Sequence, residues 1–209
     1  KQNTLSNERI SAEIEILSQG LVNDIAVLDP IFNNSDRETE ILHLFYQHGY
    51  KGHLSLQCRF ESLTTDFMDI CSKLNVTLEF GLQTIHPLEM KAIIRRNNMP
   101  LISEKIKELH HRNIHFEVSL IYGLPNQTVD SFKQSIQWCF DHGVPSLKAF
   151  PLMLLRGTKL HQDRSKWNLK ESEPPIPVVI SSNSFSYADW LEMEKMANTL
   201  QHNISLVAK

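Results

Sequence analysis

His115-Phe116-Glu117-Val118-Ser119-Leu120-Ile121-Tyr122, then Gly123-Leu124-Pro125, then Thr128-Val129-Asp130, is the stretch from which the fold of this 209-residue chain reads most directly. A run of strand-forming residues closes on a Gly-Leu-Pro turn, and Thr128 caps a helix whose apolar positions are Phe132, Ile136 and Phe140. The same strand–turn–helix unit recurs on both sides. Residues 24–28, 53–58, 77–82 and 147–154 read as further strands, the first of them short and buried. The spacing predicts helices over 6–19, with Ser6 as N-cap and Gly20 as stop, and from the Ser35-x-x-Glu38 capping box to Gly49. Others run from Thr64 or Thr65 to Leu74, from Pro87 to about Arg96, from Ile102 to Leu109 after a break at Pro100, and from Tyr187 to Leu200.

Five strands alternating with helices imply right-handed crossovers and a parallel sheet covered on both faces. An open doubly wound sheet and a partial (β/α) barrel both satisfy that pattern. In either, working residues belong at the carboxyl ends of the strands, here Asp29 and Asn33, Gln57 and Arg59, Gln83, Tyr122 and Pro151. The pattern loosens from Arg156, and Pro174-Pro175-Ile176-Pro177 marks an extension, so 1–160 reads as the barrel and 161–209 as a C-terminal extension with a final helix.

Composition narrows the class. The chain is 41% hydrophobic and 22% charged, as an ordinary globular protein is, and 21 basic against 24 acidic residues leave a net charge of −3, which does not indicate nucleic acid. No apolar run approaches the roughly 18 residues of a membrane span, and Lys1-Gln2-Asn3-Thr4 does not open a signal peptide, so a cytoplasmic location is expected. Isolated glycines exclude Walker and Rossmann fingerprints, and neither GxSxG nor HExxH occurs. Cys58, Cys71 and Cys139 are too scattered for a disulfide framework or a compact metal motif and read as reduced, buried and inert.

Three segments stand at strand ends together: 28–33 (Leu-Asp-Pro-Ile-Phe-Asn), 78–84 (Leu-Glu-Phe-Gly-Leu-Gln-Thr) with Arg95-Arg96 downstream, and 120–128 (Leu-Ile-Tyr-Gly-Leu-Pro-Asn-Gln-Thr). In order and spacing they resemble the radical S-adenosylmethionine (SAM) superfamily. The likeness is to its cobalamin-binding-type and Elp3/MiaB/NifB-like members and to oxygen-independent coproporphyrinogen oxidase. Residues 150–160 resemble that family's next signature, with Arg156 where proline is usual, and 174–190 resemble the tail that follows the barrel in the cobalamin-binding-type group.

The resemblance implies an α/β fold, a partial (β/α) TIM-like barrel of parallel strands. It implies a CxxxCxxC loop after the first strand, holding a 4Fe-4S cluster that binds SAM and, once reduced, releases a 5′-deoxyadenosyl radical. This chain starts past that loop, so the first strand is missing and none of its three cysteines can replace the ligands. It reads either as a fragment of a longer enzyme, which the start at Lys1 favours, or as a shortened relative that lost redox chemistry. By position the resemblance implies SAM contacts at Asn33 (the amino group), Gln57, Gln83, Arg95 on its helix, Ser119 and Tyr122, no metal ligand in this chain, and no assigned catalytic residue. Cobalamin, and with it methyl transfer, stays open for the parent. A regulatory barrel without the cluster and an unrelated TIM-barrel-like enzyme are the alternatives. The substrate, small or macromolecular, is not specified, and the open sheet edge beside 25–28 predicts self-association.

Overall fold

Ser6 accepts a hydrogen bond from the Arg9 N–H and starts α1 (Asn7–Leu17), and Gly20, at φ 89°, takes the left-handed conformation past its end. The computed structural model describes residues 5–207, with backbone alone for 201–207, so the reading of Lys1-Gln2-Asn3-Thr4 lies outside the described residues. The chain continues through β1 (Asp24–Val27), α2 (Asp36–Gln47), β2 (His53–Cys58), α3 (Thr65–Cys71) and β3 (Val76–Gln83). Then come α4 (Pro87–Ala92), α5 (Met99–His111), β4 (His115–Tyr122), α6 (Val129–Asp141) and β5 (Ser146–Pro151). The five strands form one parallel sheet in the order β1-β2-β3-β4-β5, the α/β class expected for a partial (β/α) TIM-like barrel. Beyond β5 lie α7 (Lys159–Gln162), a short antiparallel ribbon of β6 (Lys170–Glu171) and β7 (Val179–Ser181), and α8 (Tyr187–Val207). Sequence reading saw only the last of these, because strands of two and three residues carry no period. No described helix is long and apolar enough to cross a membrane.

The chain divides into two compact units. The first holds the residues up to Phe80 together with Pro100–Phe116. Its core is Leu54, Leu56 and Cys58 of β2, Leu78 and Phe80 of β3, Phe67 and Ile70 of α3, and Ile102 and Ile106 of α5, all buried. Phe60 stacks on Phe80 with ring centroids 3.9 Å apart. Burying each such side chain contributes about 1.5–3 kcal/mol before the entropy of ordering it is charged. The second unit holds Gly81–Met99 and the residues from Glu117 onward. Here α8 packs on β5 and α6, burying Trp190, Met193, Ala197 and Leu200 at helical spacing.

β2, β3 and β4 bury alternate residues, so the expectation of two covered faces is corrected. In the first unit the second face of the sheet carries His53, Ser55, Gln57, Thr77 and Glu79, partly or fully exposed. These side chains bond one another: His53 lies 3.0 Å from Asp24 Oδ1 and 2.8 Å from Thr77 Oγ1, and Ser55 donates to Glu79. In the second unit that face carries Glu117, Ser119, Ile121, Lys148 and Phe150, with Lys148 Nζ 2.7 Å from Glu117. A polar face needs no apolar cover, and the buried face supplies the core alone.

Four local expectations also change. β1 is not buried: its residues alternate between exposed and half-exposed, and Leu28 is 90% exposed, because β1 stands at the sheet edge. α4 stops at Ala92, where Ile94 turns left-handed at φ 56°, so Arg95 is not helical. Pro100 does not break a helix but sits in the first turn of α5, where its missing N–H costs nothing. Phe140 on α6 is 50% exposed, and Cys139 takes the buried position beside it.

Candidate functional site

The polar strand ends fall into two groups, one in each unit. In the first unit the chain leaving β1 is tied to the chain leaving β2. The Phe32 N–H donates to the Gln57 carbonyl (2.7 Å), and the Asn33 amide brackets the backbone of Arg59. Asn33 Nδ2 donates to the Arg59 carbonyl (2.8 Å), while Asn33 Oδ1 accepts from the Arg59 N–H (2.9 Å). Asn33 is 4% exposed. The sequence reading assigns Asn33 to a ligand's amino group; in the structure each end of its amide bonds the Arg59 backbone. Gln57 is exposed on the polar face, opposite Glu79 in register.

In the second unit, Gln83, Ser119 and Arg95 converge on Gly81. Gln83 ends β3 with φ 71°, a left-handed conformation rare outside glycine. Its Oε1 is buried without a hydrogen-bond partner in the protein. Such an orphan acceptor costs about 1–3 kcal/mol unless something donates to it. A Cβ built on Gly81 would lie 2.5 Å from Gln83 Nε2 and 3.8 Å from Ser119 Oγ, so the glycine leaves room for the glutamine amide. Arg95 donates from its guanidinium to the Gly81 carbonyl and from Nε to Asn97 Oδ1 (2.9 Å). Asn97 Nδ2 in turn donates to the carbonyls of Leu82 (2.8 Å) and Thr84 (3.1 Å). Arg96 is exposed.

Tyr122 faces away from this cluster. Its ring packs 5.8 Å from both Phe132 and Trp190, and burial, with the charge of Glu194, pushes its phenol up to about 12. Its strand neighbours Ser119 and Ile121 occupy the opposite, polar face, as a period of two requires. The turn after β4 is held by Gln127, whose Oε1 accepts from the N–H groups of Gly123 (2.7 Å) and Leu124 (3.1 Å). Gln127, Asn97 and Glu89 were not among the residues singled out from sequence. An amide four residues past a strand-ending glycine was the available signal for the first.

The thiols do not fit an iron–sulfur cluster. Cys58, Cys71 and Cys139 lie on β2, α3 and α6, all buried, and burial pushes each thiol up, Cys139 to about 12. A cluster takes converging thiolates. Among the described residues no three metal-binding side chains come together.

Against solved structures, the chain is similar to TsrM from Kitasatospora setae, a radical SAM methyltransferase with cobalamin and a [4Fe-4S] cluster bound. The likeness has a TM-score of 0.66 at 14% identity, over 86% of this chain and 36% of that one. It is similar to Elp3 of the archaeon Methanocaldococcus infernus, with a TM-score of 0.58 at 17% identity over 76% of this chain and 44% of that one. It is also similar to coproporphyrinogen III oxidase from Escherichia coli, a radical SAM enzyme, with a TM-score of 0.57 at 16% identity over 100% of this chain and 48% of that one. The chain shares the fold of these three proteins over most of its length.

No family model matches the sequence. Two uncharacterized proteins are similar to it: MJ0486 of Methanocaldococcus jannaschii, 24% identical over 114 residues, and YtqA of Bacillus subtilis, 27% identical over 121. The matches cover 52% and 56% of this chain, and only 35% and 38% of those relatives. At these identities the radical SAM likeness speaks for the fold; chemistry has to be argued from the residues.

Proposed function

We propose that this chain is the SAM-binding part of a radical SAM enzyme core, with Gln83, Ser119 and Arg95 as its ligand contacts. The observation that carries the reading is the orphaned Gln83 Oε1 at the end of β3, beside a glycine that makes room for the amide. An acceptor there suits a ligand amine or hydroxyl, and the Arg95 cation and Ser119 hydroxyl suit a carboxylate or ribose. Cluster, SAM cleavage and cobalamin belong to a longer parent enzyme in this reading, and no step of that chemistry is assigned to these residues. Titration of the 209-residue chain with SAM, followed by line broadening of the ligand's NMR signals, tests it. Binding by the wild type that falls about tenfold in Gln83→Ala is the expected result. Equal broadening with both proteins defeats the assignment.

A second reading, a binding barrel without redox chemistry, is favoured by the separation of the three thiols on three elements. Both readings predict that anaerobic reconstitution of this chain with iron and sulfide loads no cluster. About four irons per chain with a cluster-like absorption spectrum would overturn both. The same reconstitution on the full-length parent separates them, since only the first reading expects iron there. The open edge of β1 carries a further proposal, self-association of the chain, which a monomer by sedimentation at high concentration would remove.

A further inference from the structure

Glu89, on α4, is 1% exposed, and among the described residues the side chains that donate to it are uncharged and come from other segments. Its Oε2 accepts from Thr84 Oγ1 (2.6 Å) and from Gln127 Nε2 (3.3 Å), and its Oε1 accepts from Ser131 Oγ (2.6 Å). Thr84 follows Gln83 directly; Gln127 holds the turn after β4; Ser131 lies in the first turn of α6. Thr84 and Gln127 are themselves fully buried. Both are also tied to backbone. Thr84 Oγ1 accepts from the His86 N–H (3.1 Å), and Gln127 Nε2 donates to the Ile121 carbonyl (3.0 Å) while its Oε1 accepts from the N–H groups of Gly123 and Leu124. Burying a carboxyl group is costly unless its oxygens are bonded, so these donors and Glu89 fix one another.

We infer that Glu89 is a positioning residue that locks the loop after β3 and the turn after β4 into one arrangement. Gln83 leads into the first and Gly123-Leu124 forms the second, so both strand ends of the candidate site are set by one buried side chain. That these ends meet SAM rests on the function proposed above; that Glu89 couples them does not. Replacing the carboxylate by an amide of the same shape puts an N–H where an acceptor stood: turned toward Thr84 and Gln127 it leaves two donors without that acceptor, and turned toward Ser131 it removes the acceptor of one.

Amide hydrogen exchange on the full chain, with and without SAM, tests this. In Glu89→Gln, exchange is expected to rise about 10- to 100-fold at Thr84 and His86 and, together with them, at Gly123 and Leu124. The amides of Leu120 and Ala149, inside β4 and β5, are expected to stay as in the wild type. A rise spread through the whole unit would mean a merely structural carboxylate, and a rise at one loop only would mean no coupling; either overturns the inference. Thr84→Val removes a single donor and covers the case in which Glu89→Gln does not fold. It is expected to raise exchange at both loops by a smaller factor, and an unchanged Gly123-Leu124 turn would count against the proposal. If the wild type fails to bind SAM, the proposed function falls while the exchange pattern still decides the role of Glu89.

Discussion

Asn33 and Gln83 carry the same functional group at comparable places, the end of a strand or the loop just beyond it, yet they do opposite work. The Asn33 amide brackets the backbone of Arg59 with both ends, whereas the Gln83 amide keeps a buried oxygen without a partner and a backbone at φ 71°. A polar side chain whose donor and acceptor ends are each bonded to the backbone braces the fold. One held in a strained conformation with an unmet acceptor is poised for something the protein does not itself supply. The residue types are alike; the hydrogen-bond accounting separates them.

The largest effect that could break this comparison is on stability. Asn33→Leu keeps the volume but leaves the Arg59 N–H and carbonyl without their partner, and a loss of about 2–3 kcal/mol is expected from urea unfolding. A change below about 0.5 kcal/mol would mean that water replaces the amide freely, and the scaffold assignment of Asn33 would fall.

A middle-sized effect concerns Gly81. In Gly81→Ala the new Cβ comes too close to the far end of the Gln83 side chain and stays at ordinary contact distance from Ser119 Oγ, so the amide swings away at little cost in stability, under about 1 kcal/mol. SAM affinity is expected to fall about tenfold, as in Gln83→Ala, and the double variant should lose no more than either single one. Additive losses would show that Gly81 acts independently of the Gln83 amide.

What the sequence made legible follows from period and punctuation. Alternation and capping signals located all five strands and the helices between them, since Ser6, Thr64, Thr128 and the Ser35/Glu38 pair each carry a local mechanism. Gln83, Arg95 and Ser119, named from the sequence, do come together around Gly81, whereas the bonds between Asn33 and Arg59, 26 residues away, leave no local signal. No local pattern reports whether a distant backbone group will consume an amide. The helix end near Arg95 was misread for a related reason: Ile93-Ile94 continue an apolar pattern, while the left-handed Ile94 turns the chain back toward Gly81. The orientation of Tyr122 was open to the sequence all along, because a residue adjacent to Ile121 on a strand must face the other way.

Tyr122 supplies the smallest effect at neutral pH and a test of which side a strand-end residue serves. Its side chain, like that of Asn33, is spent on the protein, between Phe132 and Trp190. Burial raises its phenol from the usual 10 to about 12, so the folded state holds the proton more tightly than the unfolded chain does. The sign follows. Below pH 10 both states are protonated and the full stability is present; as pH rises through 10 toward 12 the unfolded chain ionises first and stability is lost. Cys139, raised from 9 to about 12, bends the curve the same way from pH 9. Tyr122→Phe keeps the packing and removes one of these two ionisations. It is expected to match the wild type within about 1 kcal/mol at pH 7 and to show a shallower fall in urea midpoint between pH 10 and 11.5. SAM binding should not change, because the ring lies on the buried face. An identical alkaline limb in the two proteins would mean that the phenol reaches water. A tenfold loss of SAM affinity in Tyr122→Phe would turn the hydroxyl toward the ligand and place Tyr122 with Gln83 instead of Asn33.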